Sequence, residues 1–280
     1  MTNGTDETVD RVRRFRAGAV ERGLPPNAAE RWVRSLRPAA YLADGGDGPV
    51  AARLGGRPRL PHGAPVPPHG FVASVDCALL RADATDPPLP ADGHLLFFAV
   101  PDIDFTGRRE DVVRYVPAGT ATAELPAGEG RELFPGRELR TVAYGPSTQE
   151  SGSFTRDQYG DPPPQDEYMR TYGLSEAWHA AGGDGHGGVD WRLQLGGHPL
   201  VPNIDPLEGL RGYDPDEEGS ERTRTGGRDD WTLLATWRCG DDAPDEVGLD
   251  GLVVHWLVLR RDLAALRLDR VLTFVDMWAP

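Results

Sequence analysis

The strongest constraint on the fold is a repeated octapeptide. Residues 54–61 read LGGRPRLP and residues 195–202 read LGGHPLVP, so both fit L-G-G-x-P-x-[LV]-P at an offset of 141. Adjacent glycines allow backbone conformations that other residues avoid, and the proline restricts the direction in which the chain leaves. The motif therefore predicts two similar tight turns, one in each half of the chain.

Further matches follow each turn in the same order. Residues 92–98 read DGHLLFF and residues 250–256 read DGLVVHW, an offset of 158, and Asp104 matches Asp262 at the same offset. Each half therefore holds a Gly-Gly turn, an Asp-Gly turn and an apolar segment of strand length. We predict an α+β fold with internal duplication, in which two pseudo-twofold related β-rich halves pack as one body.

The residues before the first turn have helical periodicity. Val12, Phe15 and Ala19 recur at the spacing of one helix face. Asn27 and Glu30 have the spacing of a capping box, which indicates the start of a second helix. The pattern predicts an N-terminal helical hairpin that packs on the sheet.

These patterns divide the chain into two regions. We predict N-terminal helices over residues 1–45 and a duplicated domain over residues 46–280. The two copies of the repeat cover about residues 49–118 and 190–278.

Two segments lack the strand pattern. Residues 145–190 are rich in Gly, Ser and Pro, which is typical of a long irregular connection, here with one short helix near residues 175–181. The second copy has about 17 extra residues, the difference between the two offsets, and they fall within residues 203–228, which predict a surface loop. No role for either segment follows from the sequence.

Composition and charge exclude several classes of function. No run approaches the roughly 20 apolar residues of a membrane span, and residues 1–10 lack the apolar core of a signal peptide. We therefore predict a cytoplasmic protein that does not bind membranes. The net charge of −14 argues against nucleic acid, because phosphate binding needs a basic surface, and it favours encounter with a basic partner.

The sequence contains no recognisable pattern of catalytic residues. None of the seven histidines lies in HExxH or HxH spacing. Cys77 and Cys239 have no metal-ligand spacing. We predict no catalytic residues, no metal and no cofactor, and the sequence favours a protein that is not an enzyme without deciding the question.

Four residues in and after the second turn, and one in the first, are candidates for ligand binding. Arg57 and His198 occupy the variable position of the two Gly-Gly turns. Trp231 and Trp237 lie six residues apart on a predicted strand, so that they would share a face and form an aromatic platform. The other interpretation is that both fill the core.

The fifth candidate is His255. It stands beside Trp256 in an apolar strand, and at the offset of 158 it matches Phe97. It is either a packed core histidine or a base that contacts a ligand.

The repeated motifs resemble those of the YwqG-like family, a bacterial family with no established activity. The resemblance rests on LGGRPRLP, DGHLLFFAVPD, LGGHPLVP, DDWTLLATW and the closing DGLVVHWLVLRRDLAALRLDRVLTF, and it covers most of residues 49–278. It implies an α+β fold with two related halves. Pro65–Pro68 replace the Trp-Pro that members usually have after the first turn, and residues 203–205 replace a common Gln after the second.

Three functional hypotheses follow. The first is a non-enzymatic binding module that docks a protein partner, one version being an immunity-like protein whose acidic loops block a basic effector. The alternative is a small-molecule-binding enzyme or sensor, with a site at the junction of the halves that both Gly-Gly turns line through Arg57 or His198. The third is a scaffold without a pocket. The partner and the oligomeric state do not follow from the sequence.

Overall fold

The structure is a computed structural model. It describes residues 4–99, 106–108, 112–127, 129, 133, 135–182, 190–210, 228–239 and 251–277. Asp104, residues 183–189 of the predicted irregular connection, residues 211–227 of the predicted surface loop and Asp250 lie outside the described residues.

The described residues form six α-helices. They are α1 (Gly4–Glu21), α2 (Pro26–Ser35), α3 (Ser151–Tyr159), α4 (Gln165–Ala180), α5 (Pro206–Gly209) and α6 (Arg260–Ala264). The predicted N-terminal hairpin is present as α1 and α2. The second helix begins at Pro26, because a proline is well tolerated in the first turn, and Asn27 lies inside it instead of capping it.

The first four helices form a small core of their own. The ring centroids of Phe15 and Trp178 lie 5.5 Å apart, and those of Trp32 and Phe154 lie 5.0 Å apart. The N-terminal hairpin therefore buries Phe15, Ala19 and Trp32 against α3 and α4.

The prediction of an irregular connection over residues 145–190 was wrong, because α3 and α4 occupy much of it. The Glu150 carboxylate accepts hydrogen bonds from the first backbone N–H groups of α3. Thr171, Leu174 and Trp178 are buried at helical spacing on α4. Pro164 lies at the N-cap of α4, where it interrupts no helical hydrogen bond.

The described residues also form thirteen β-strands. They are β1 (Arg37–Ala43), β2 (Val50–Leu54), β3 (Arg59–Pro61), β4 (Gly70–Asp76), β5 (His94–Ala99), β6 (Thr106–Arg108), β7 (Val113–Val116), β8 (Thr122–Glu124), β9 (Arg137–Ser147), β10 (Leu193–Gly196), β11 (Trp231–Arg238), β12 (Leu252–Leu259) and β13 (Leu272–Met277). Strands β3 and β8 pair separately from the main sheet.

The other eleven strands form one sheet in the order β6-β13-β12-β11-β10-β1-β9-β2-β4-β5-β7, with every pairing antiparallel. Strands β1 and β9 form its central pair. We call β2, β4, β5 and β7, on the β9 side, the first strand series. We call β10, β11, β12 and β13, on the β1 side, the second strand series.

The sheet is curled, so that its two ends approach each other. Trp256 on β12 donates a hydrogen bond from Nε1 to the Phe98 carbonyl on β5 at 3.0 Å, and its ring centroid lies 5.1 Å from that of Phe97. The inside of the curl holds the largest apolar core of the described residues. The fold is thus mixed α and β.

Strand β1 was not predicted. It lies within residues 1–45, to which the sequence analysis assigned only helices, and it runs through the centre of the sheet. Its sequence, RPAAYLA, has no clear alternation, because most of its side chains are covered on both faces. The division of the chain at residue 45 stays a prediction.

Candidate functional site

The second Gly-Gly turn lies at the end of β10, where the helices meet the sheet. Gly196 has a φ of 64° and Gly197 a φ of 77°. A Cβ atom on Gly197 would lie 2.7 Å from the Ser147 Cβ and 2.9 Å from the Ala39 Cβ. The turn therefore needs glycine both for its backbone conformation and for its packing.

His198 follows this turn and is held on several sides. It is only 4% exposed. Its backbone N–H donates to Ser147 Oγ at 3.0 Å, and its carbonyl accepts from Gln194 Nε2 at 2.8 Å. Its Nε2 lies 2.7 Å from the Ser35 carbonyl oxygen. Because a carbonyl only accepts hydrogen bonds, Nε2 carries the hydrogen and ties the turn to the end of α2.

A polar cavity of about 480 Å³ opens beside His198. We call it the arginine pocket. Its lining residues are Arg31, Arg34, Ser35, Leu36, Arg37, Asp86, Gln149, Asp157, Gln158, His198 and Asp229. They come from α2, the start of β1, α3 and three separate connecting segments that contain Asp86, His198 and Asp229, so that tertiary packing alone assembles the pocket.

Three arginines at the end of α2 and the start of β1 supply the positive charge of the pocket. Arg31 donates a hydrogen bond to the Tyr159 hydroxyl, and its guanidinium carbon lies 5.3 Å from the centroid of that ring. Burial and a hydrogen bond to Glu167 raise the pKa of Tyr159, so that it stays neutral near pH 7. Arg37 forms an ion pair with Asp229 at 3.4 Å.

The carboxylates of the pocket are already engaged. Asp86 accepts from Arg260 Nη2 at 2.7 Å, and Asp157 accepts from Gln149 Nε2 at 2.5 Å. Within the part of the chain that the structure describes, neither Arg31 nor Arg34 has a carboxylate within ion-pair distance. The pocket is thus lined by three arginines and three aspartates, and Arg31 and Arg34 are the two of these arginines without an ion pair among the described residues.

A second cavity of about 400 Å³ adjoins the first and shares Leu36 and Arg37 with it. We call it the apolar depression. Its lining residues are Thr8, Val9, Val12, Val33, Leu36, Arg37, Pro38, Ala39, Arg81, Asp83, Ala84, Tyr144, Gly145 and Pro146. Val9 is 62% exposed, which leaves apolar surface open to solvent beside the arginine pocket.

Arg57, the counterpart of His198 in the first Gly-Gly turn, lies elsewhere. Its Nη2 forms an ion pair with Glu124 Oε1 at 2.5 Å, and its Nη1 donates to the Leu125 carbonyl at 3.1 Å. The cavity beside it is about 10 Å³. The structure thus does not bring Arg57 and His198 to one pocket.

Trp231 and Trp237 do not share a face of β11. The pairing of β11 with β12 shifts register between Leu233 and Ala235, and such a bulge moves the residues beyond it to the other face. Trp231 packs in the cluster under α5, whereas Trp237 packs inside the curl. The predicted shared face was wrong, and both side chains are buried.

His255 is fully buried on β12. Its Nδ1 lies 2.9 Å from Thr236 Oγ1. Burial lowers its pKa to about 4, against the opposing effect of the Asp276 and Asp205 carboxylates. The ring is therefore neutral at pH 7 and lies away from solvent, on the same strand face as Leu257.

Sequence reasoning missed the arginine pocket. Arg31, Arg34 and Arg37 recur every three residues, which is the spacing of one helix face. That signal was present, but it does not show that residues more than 100 positions away complete the pocket.

Among the described residues, no group of three or more His, Cys, Asp or Glu side chains is placed to hold a metal ion. No described helix combines the length and apolar character needed to cross a membrane. A family model described as "Domain of unknown function (DUF1963)" matches residues 52–276. No curated protein matches the chain.

Proposed function

We propose that this chain, which belongs to the family described as a domain of unknown function (DUF1963), is a non-enzymatic binding module that docks a protein partner. The observation that carries the proposal is the junction of two cavities at Leu36 and Arg37. An exposed apolar depression and a charged pocket lie side by side there. Protein interfaces combine an apolar centre with a polar rim in this way.

The character of the arginine pocket favours a protein over a drug-sized molecule. Pockets for small molecules are lined mostly by apolar and aromatic side chains. This pocket is lined mainly by charged and polar side chains, and its one aliphatic residue is Leu36. Arginine is enriched in protein interfaces because its planar group makes several directed hydrogen bonds.

The proposal is tested by affinity capture with matched variants. Val9 and Val20 lie on the same helix and are 62% and 63% exposed, but only Val9 lines the apolar depression. We expect a partner that the wild type and Val20→Glu retain and that Val9→Glu loses. Calorimetry with the purified partner should then show at least about a fivefold weaker affinity for Val9→Glu, since the loss of a central contact costs about 1 kcal/mol or more.

Equal capture by all three proteins would contradict docking at this face. Circular dichroism of the Val9→Glu protein serves as a folding control. A saturable rise in melting temperature with a metabolite, together with no partner that distinguishes the variants, would favour the small-molecule alternative.

We also propose that the two strand series arose by internal duplication, as the resemblance to the YwqG-like family implies. The strand order supports this, since β1 is followed outward by β10, β11, β12 and β13, and β9 by β2, β4, β5 and β7. Under this proposal the central strands are exchanged. β1 lies beside the second strand series, which follows β9 in sequence, and β9 lies beside the first strand series, which follows β1.

Matching irregularities in the two series support the same proposal. The pairing of β4 with β5 shifts register between Phe71 and Ala73, and that of β11 with β12 shifts between Leu233 and Ala235. Each of these strands leads into a buried cysteine. Such bulges are usually retained within a family of related structures.

The ladders also give the residue correspondence under this proposal. Ala73 pairs with Phe97 and Ala235 pairs with Trp256, so Phe97 and Trp256 are counterparts and pack on each other at 5.1 Å. A contact between counterparts is expected on a twofold axis. The counterpart of His255 is then Leu96, one residue from the match that the offset of 158 indicated.

A further inference from the structure

We infer that the arginine pocket receives a carboxylate from an acidic peptide segment of the partner. This inference rests on the proposed docking function and names the chemistry that enters the pocket. Its starting point is the uneven pairing of the charged groups that line the pocket.

The acidic side chains of the pocket have partners, whereas among the described residues Arg31 and Arg34 have no carboxylate within ion-pair distance. Asp86 is held by Arg260, and Asp157 is held by Gln149. Arg31 has a phenol as its partner, and its buried Nε has no acceptor among the described residues. A buried donor without an acceptor is costly. An incoming carboxylate would give the guanidinium groups of Arg31 and Arg34 the ion-pair partner that they lack among the described residues.

The geometry prepares the guanidinium groups for such a ligand. Arg31 and Arg34 lie one turn apart on α2, so their side chains leave the same face of the helix. Arg31 is held against the Tyr159 ring, which reduces the rotamer freedom lost on binding. Guanidinium groups bind carboxylates through two parallel hydrogen bonds.

The apolar depression identifies the carrier as a peptide. Leu36 and Arg37 line both cavities, so one occupant can fill the depression with an apolar side chain and place an acidic one in the pocket. The net charge of −14 opposes approach to an anionic membrane. At long range the net charge favours a partner that is basic as a whole, whereas the pocket binds one acidic side chain of that partner.

The test is selection from a phage library of random 12-residue peptides on the full chain. Wild type, Arg34→Gln and Arg13→Gln are compared; Arg13 is 77% exposed on α1 and outside the pocket. We expect the wild type and Arg13→Gln to enrich peptides that join an apolar residue to Asp or Glu. A synthetic copy should bind about tenfold to a hundredfold more weakly when its acidic residue is replaced by the amide, or when Arg34→Gln is the receptor.

Enrichment of peptides without acidic residues, or equal binding to Arg34→Gln, would overturn the inference. So would no enrichment by the wild type, or inorganic phosphate alone shifting the arginine side-chain N–H resonances at lower concentration than the peptide does. In each of these cases, loss of the captured partner by Val9→Glu would leave the docking function standing. Failure of that capture experiment is thus a separate result.

Discussion

The two Gly-Gly turns share a sequence pattern and a backbone conformation but have different surroundings. Gly55 and Gly56 have φ values of 70° each, close to those of Gly196 and Gly197. At the variable position, the first turn has Arg57, which forms a surface ion pair. The second has His198, which is buried and faces a cavity of about 480 Å³.

The covering elements account for the difference. The first turn leads into β3, which pairs with β8, and Glu124 of β8 forms the ion pair with Arg57. Beside the second turn lie α2, α3 and the turn at residues 228–230. The same backbone motif is thus closed by a two-stranded ribbon in one place and opens onto the arginine pocket in the other. The comparison teaches that the motif sets the path of the chain, while its neighbours decide whether a site forms.

The largest expected difference between the turns comes from substitution of their glycines. Gly197→Ala should destabilise the protein by roughly 4 kcal/mol, because about 1–3 kcal/mol of backbone strain adds to a similar cost of overpacking against Ser147 and Ala39. Gly56→Ala should cost less, since one of its nearest neighbours is the mobile end of the Arg53 side chain. Urea unfolding measures both. A larger loss for Gly56→Ala would show that the first turn is the more constrained one.

The next effect is a pH dependence of stability that arises from His255 in the second strand series. The pKa of His255 falls to about 4 in the folded protein from 6.5, so the unfolded chain binds more protons as the pH falls through this window. The contribution of His255 to the free energy of unfolding is fully present above about pH 6.5 and should fall by roughly 3 kcal/mol by pH 4. Hydrogen bonds from Asn203 and Ile204 hold the pKa of Asp276 below 3.8, outside the window.

His255→Leu, which introduces the residue type of Leu96, should remove this part of the pH dependence. Unfolding free energies of both proteins from pH 7 to pH 4 give the comparison. Curves of equal slope would contradict a neutral buried His255.

The smallest effect compares the variable positions directly. His198→Ala should cost about 1–3 kcal/mol, because the Ser35 carbonyl loses its donor. Arg57→Ala should cost about 1 kcal/mol or less, as expected for an exposed ion pair. His198→Gln, which keeps a terminal N–H donor, should recover part of the loss. Thermal unfolding of the three variants measures this, and equal costs would remove the distinction between the turns.

The sequence predicted the parts of this fold that depend on local pattern. Both Gly-Gly turns, the N-terminal hairpin and the strand at residues 252–259 follow from glycine placement and apolar periodicity. The shared face of Trp231 and Trp237 failed because one bulge reverses the alternation, and a bulge leaves no mark in the residue types.

The candidate site was less predictable because it is assembled at long range. His198 was a candidate on its own, but Arg31, Asp157 and Asp229 reach it from three distant segments. Which arginines of the pocket lack an ion pair depends on which carboxylates are already paired, such as Asp86 with Arg260. Pairing of this kind exists only in the folded molecule.

The pairing of the two central strands has a consequence for how the molecule comes apart. β1 from the N-terminal part lies beside β10, and β9 from the middle of the chain lies beside β2. Both strand series also contribute to the largest apolar core, so neither can separate from the sheet without exposing apolar side chains of the other. We therefore expect a single cooperative unfolding transition, and two fragments cut between β9 and α3 should acquire structure only when they are mixed.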